Sequence, residues 1–101
     1  MEMTLLRIFV GEMDHHDGRP TYKALVHLFR ERGLKGATVL RGVYGYGRDS
    51  LLHSASPLRL SQDLPMVVEV VDTMERIEPL LDEVRGMVPG GLITLEKVRV
   101  V

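Results

Sequence analysis

Cysteine is absent from the 101 residues. Without a thiol there is no disulfide, no thiolate nucleophile and no zinc–thiolate centre. Aromatic side chains are scarce, with three tyrosines and two phenylalanines. An RNA-recognition sheet stacks bases on aromatics of its central strands, and Tyr44 and Tyr46 alone make a poor platform. A surplus of one charge is missing as well. The net charge is −1, whereas a general nucleic-acid binder carries a clear basic excess. No apolar run approaches the ~18 residues needed to span a bilayer. The opening Met1-Glu2-Met3-Thr4 has no basic stretch followed by a long apolar one, so no secretory signal is expected. These absences point to a soluble, cytoplasmic protein that does not bind nucleic acid.

What is present is ordinary for a globular chain: 45% apolar and 27% charged residues. The length fits one domain, residues 1–101. So short a chain buries only a modest core alone, and a partner subunit would help to stabilise it.

Leu5 to Val10 alternates as a first strand, with Leu6, Ile8 and Val10 on one face and Arg7 and Phe9 on the other. A loop follows, and Pro20 suits the first turn of a helix. Tyr22, Leu25, Val26 and Phe29 give that helix its apolar face, and Gly33 its stop. Lys35 to about Tyr46 reads as a second strand, with Ala37, Val39 and Val43 alternating against Thr38, Leu40 and Tyr44. Pro65 to Val71 is a third strand, apolar on both faces. Asp72 is placed to cap the next helix, with Glu75 completing a capping box. Met74, Ile77, Leu81 and Val84 form its buried stripe, and Pro79 should kink it. Leu92 to Val101 is a fourth strand whose apolar phase slips, which predicts a bulge near Glu96-Lys97.

The order β-α-β-β-α-β, with right-handed crossovers, gives an α+β ferredoxin-like plait: a four-stranded antiparallel sheet with two helices on one face. Val39, Val43, Val67 and Val71 are expected to present aliphatic surface on the other face. A patch of that kind marks an interface, so a homo-oligomer built through the open face is expected.

The strongest local signal is Arg41-Gly42-Val43-Tyr44-Gly45-Tyr46-Gly47-Arg48. Closely spaced glycines let backbone amides approach a ligand, and a guanidinium beside them makes an anion-receptive strand end. A twisted strand leading into a hairpin, with the glycines relieving crowding, is the plainer reading of the same residues. The segment Glu12-Met13-Asp14-His15-His16-Asp17 holds potential metal ligands without the helical spacing of a ligand pair, and reads as a solvated loop. His27 and His53 read as surface side chains. Ser50, Ser54, Ser56 and Ser61 have no partnered His–Asp arrangement, so no catalytic residue is assigned. An acylphosphatase-like site would place its glycine–arginine turn after the first strand, and here the turn follows the second.

Across nearly its whole length the chain resembles the PII-like proteins of domain of unknown function 190. The resemblance is carried by Gly11-Glu12, Gly18-Arg19-Pro20, the run from Gly33 to Val39 and the run from Arg41 to Gly47. The segments 61–65 and 69–72 and Gly90-Gly91-Leu92 complete it. More distantly it is similar to the PII nitrogen-signalling proteins, through Gly36-Ala37-Thr38-Val39 and Gly45-Tyr46-Gly47-Arg48. Those proteins are trimers that bind adenine nucleotides between subunits, with a T-loop rising from the glycine turn. The resemblance therefore implies a homotrimer and a ligand site at Thr38, Gly45, Tyr46, Gly47, Arg48, Gly90 and Gly91; no metal ligand is assigned. It implies ATP, ADP or AMP as regulatory ligand, and a T-loop-like segment (about 47–60) that contacts a partner protein such as a transporter or an enzyme. One departure stands out. The stretch before the last strand, Met87 to Leu92, lacks the lysine that PII proteins use to hold phosphate. Each charge-assisted contact is worth about 1.5–3 kcal/mol, so a less charged nucleotide or another anion is as good a candidate as ATP. A CutA-like metal-tolerance or structural trimer and a small phosphate-cleaving enzyme are the alternatives.

Overall fold

The computed structural model describes residues 1–47, 53–54 and 63–101. Four strands make the main sheet: β1 (Glu2–Gly11), β4 (Thr38–Arg41), β7 (Pro65–Asp72) and β8 (Leu92–Arg99). Their order across the sheet is β4-β7-β1-β8, with every pairing antiparallel. Short ladders join β2 (His15–His16) to β3 (Arg19–Pro20), and β5 (Tyr44–Gly45) to β6 (His53–Ser54). The expected ferredoxin-like plait is the observed one. Among the described residues no helix is long and apolar enough to cross a membrane.

Period-two alternation in β1 and β7 drives the layering. Leu6, Ile8, Val68 and Val70 are essentially inaccessible on the face that carries the helices. Burying each such side chain contributes about 1.5–3 kcal/mol. The helix α1 (Thr21–Glu31) begins directly after Pro20, which takes the cap position, and Gly33 beyond its end has φ +80°. Its buried side is Thr21, Ala24, Leu25, Leu28 and Phe29. Tyr22 and Val26, expected on that face, flank it half-buried.

The second helical segment is broken as Pro79 requires. It runs as α2 (Met74–Ile77), a 3-10 turn (Glu78–Leu80) and α3 (Leu81–Met87), burying Ile77, Leu80, Leu81, Val84 and Met87.

Four sequence expectations need correction. The cap of α2 is Thr73, without a side-chain hydrogen bond, so the capping box is not formed. Asp72 instead ends β7 as a buried carboxylate that accepts from the backbone N–H of Thr73 at 2.7 Å and of Lys35 at 3.2 Å. There is no bulge in β8: the pairing with β1 is continuous from Glu2↔Arg99 to Phe9↔Leu92. Val98 consequently lies on the face opposite Ile93. The second strand is short, because a bend at Gly42-Val43 separates β4 from β5. Lastly, Val39 pairs with Val68 and packs against the core, so the open face receives Leu40 instead. Val43 lies in the bend outside the sheet. Of the four valines expected on the open face, Val67 and Val71 are there.

Candidate functional site at the root of the glycine turn

The end of β4 is fixed by its neighbour. The N–H of Gly42 donates to the carbonyl of Pro65 at 2.7 Å. A Cβ at Gly42 would sit 3.2 Å from that same carbonyl oxygen, a tight contact that glycine avoids where the two backbones approach. Gly45 has φ +151°, a conformation L side chains rarely adopt. It pairs with His53 while Tyr44 pairs with Ser54, so the chain folds back on itself just beyond the sheet. Tyr44 and Tyr46 are exposed at this turn.

The loop after β1 clasps both feet of this excursion. Glu12 donates its N–H to the carbonyl of Leu64 at 2.8 Å. The N–H of Met13 donates to Asp63 Oδ1 at 2.9 Å, and Arg41 Nη2 donates to Glu12 Oε1 at 3.1 Å. Leu64 is fully buried beneath them. Two acidic side chains of the loop thus have structural partners: Glu12 holds Arg41, and Asp14 accepts from the N–H of Gly11 at 2.9 Å. Among the described residues no group of three or more His, Asp or Glu side chains is placed to hold a metal ion. His15 Nδ1 lies 2.6 Å from the carbonyl oxygen of Met13, and His27 is exposed.

Thr38, Gly45, Tyr46 and Gly47 all lie along the β4 edge of the sheet or just beyond it. Arg48 and most of the expected T-loop-like segment fall outside the described residues. Gly90 and Gly91 lie before β8, at the same end of the sheet but on its opposite edge. Two strands intervene, and three interstrand spacings amount to about 14 Å. One chain therefore does not bring the two glycine stretches together. The sequence reading did not assign Glu12, Arg41 and Asp63 to the turn's support. The signal for them was an acidic loop facing an arginine at a strand end, and only the fold pairs residues 29 and 50 positions apart.

A cleft of about 570 Å³ lies elsewhere, between the start of β1, the start of α2 and the end of β8. Glu2, Glu75 and Glu96 outnumber Lys97 on its walls, the wrong balance for a phosphate-bearing ligand.

Compared with known proteins, residues 3–100 match the model of DUF190, a family described as Uncharacterized ACR. A UPF0166 protein of Aquifex aeolicus is 44% identical over 97 residues, covering 96% of this chain and 91% of that protein. A UPF0166 protein of Methanocaldococcus jannaschii is 33% identical over 92 residues, covering 90% and 84% respectively. Among solved structures, CPII from Thiomonas intermedia K12 bound to ADP and bicarbonate aligns with a TM-score of 0.71 at 18% identity, over 99% of this chain and 89% of that one. Another structure of CPII, described as a nitrogen regulatory PII-like protein bound to ADP, AMP and bicarbonate, gives 0.67 at 16% identity over 100% and 94%. At such identities the likeness is one of fold.

Proposed function

The chain belongs to the DUF190 family, and from that membership and its PII-like fold we propose that it is a non-enzymatic, cytoplasmic regulatory protein. It binds a small anion, with ATP, ADP or AMP as first candidate, in clefts between the subunits of a homotrimer. The observation that carries this reading is the separation of the candidate residues. Thr38 and Gly45–Gly47 occupy one edge of the sheet and Gly90–Gly91 the other. A ligand touching both sets has to lie between two copies.

Bound at the glycine turn, the ligand shifts the segment of about 47–60 between conformations only by the difference in its affinity for them. A partner protein, a transporter or an enzyme, reads the result. The binding of ADP and AMP by the structurally similar CPII supports an adenine nucleotide here. The clasp of Glu12, Arg41 and Asp63 supports the turn as a preformed platform.

Calorimetric titration of the purified protein with ATP, ADP and AMP, with and without a divalent metal, tests the proposal. Saturable heat from at least one nucleotide, near one site per subunit, is the expected result. Heat from metal alone would instead identify a CutA-like trimer, and release of phosphate an enzyme. Arg48→Ala should abolish nucleotide binding and leave the assembly intact. Unchanged affinity removes Arg48 from the site.

A further inference from the structure

The face of the sheet without helices is ruled into rows by the strand register. Leu40, Val67, Phe9 and Leu92 are successive partners across all four strands. The next row reads Thr38, Glu69, Arg7 and Thr94. Beyond it come Val71, Leu5 and Glu96. The outer rows leave large apolar groups open, with Leu40 49%, Leu92 58% and Val71 43% exposed. Between them a guanidinium and a carboxylate lie side by side. Arg7 Nε donates to Glu69 Oε2 at 2.7 Å, and the two side chains keep 35% and 26% of their surface.

In water such a pair is unremarkable in energy. Under a covering subunit it is demanding, because a desolvated ion pair is tolerated only when its remaining donors and acceptors are also matched. This pair uses one N–H of Arg7 and one oxygen of Glu69. Among the described residues, the Nη groups of Arg7 and Oε1 of Glu69 make no other hydrogen bond within the chain. An apolar partner would strand them.

We infer that Arg7 and Glu69 are the registration pair of the homo-oligomer, an inference that rests on the assembly proposed above. In a closed cyclic assembly the spare Nη donors of Arg7 in one copy meet the spare Oε1 of Glu69 in the next. Guanidinium and carboxylate groups then alternate around the axis, with Leu40, Phe9 and Leu92 packed on one side of the charged row and Val71 on the other. A second copy is the occupant because the row is self-complementary. Each chain carries the cation and the anion in adjacent positions and offers what its neighbour lacks. The pair contributes specificity: a sheet that is apolar throughout, or of one charge, is rejected.

The test is sedimentation equilibrium on the full chain with Arg7→Glu, Glu69→Arg and the double reversal. Each single reversal places like charges along the row and should raise the half-assembly concentration at least about tenfold. The double reversal should return it to near the wild-type value. Mixing the two single variants should give assemblies that neither forms alone, which a contact confined to one chain does not predict. Glu69→Gln keeps the shape of the side chain and guards against misfolding of the reversals, each checked by circular dichroism. It too should weaken assembly. If the wild type assembles and the reversals and Glu69→Gln assemble equally well, the inference is overturned and the proposed function stands. A monomeric wild type overturns both.

Discussion

The two faces of the sheet are built from the same alternating strands and are used differently. On the helix side, Leu6, Ile8, Val68 and Val70 form an unbroken apolar surface, each at most 1% exposed. On the other side the neighbouring residues of the same strands, Phe9, Val67 and Val71, remain accessible to varying degrees and are interrupted by Arg7 and Glu69. Residues one position apart thus serve different equilibria. The covered face determines whether a single chain folds, and the open face is free to determine what that chain meets. A continuous apolar patch there would promote indiscriminate association, and a charged row across its middle limits the choice of partner.

Adjacent truncations test that division most strongly. Ile8→Ala leaves a cavity in the fully buried core and should lower stability by about 2–5 kcal/mol, read by chemical denaturation. The loss should be the same at every protein concentration. Phe9→Ala, one residue away and 36% exposed, should act mainly through association, so its effect should grow as the protein is concentrated. Equal, concentration-independent losses would remove the distinction between the faces.

The next effect concerns the glycine turn. Gly45→Ala imposes a side chain on φ +151° and places its Cβ 3.2 Å from Pro65 Cγ, at a cost of about 1–3 kcal/mol. Gly36→Ala has no atom within 4 Å of the new methyl group and no such backbone angle, so it should be near neutral. If the two substitutions were equally mild in thermal melts, the turn would not be the constrained platform described above.

The order of elements was legible because β1 and α1 each carry one dominant period over a sufficient length, and β7 is a valine-rich apolar run bounded by Pro65 and Asp72. The phase of β4 was not. Val39 and Leu40 are both apolar, so alternation alone permits either to face inward; pairing with Val68 decides for Val39. The slip read at the end of the last strand was likewise an ambiguity of composition. Val98 is apolar on the open face opposite Met3, and no bulge is required to explain it. Asp72 looked like a cap because of its residue type and position, yet its carboxylate is engaged by the backbone of Lys35, a contact between residues 37 positions apart. At the site, the glycines were visible in the sequence as a pattern. Their support by Glu12 and Asp63 was not, since it depends on where the β1 loop falls against β4 and β7.

That support yields the smallest expected effect. Arg41 and Glu12 form an ion pair at 3.1 Å with side chains 54% and 22% exposed. Arg41→Ala should therefore change global stability by at most about 1 kcal/mol. Its consequence should be local. With the clasp opened on the β4 side, hydrogen exchange should speed up at Gly42–Gly47 while Leu6, Ile8 and Val68 keep their protection. Affinity for the proposed nucleotide should fall to the extent that a preformed turn lowers the ordering cost of binding. Uniform exchange across the sheet would mean that Arg41 supports the fold as a whole. Unchanged exchange at the turn would mean that the backbone contacts of Gly42 with Pro65 and of Glu12 with Leu64 hold the root without it.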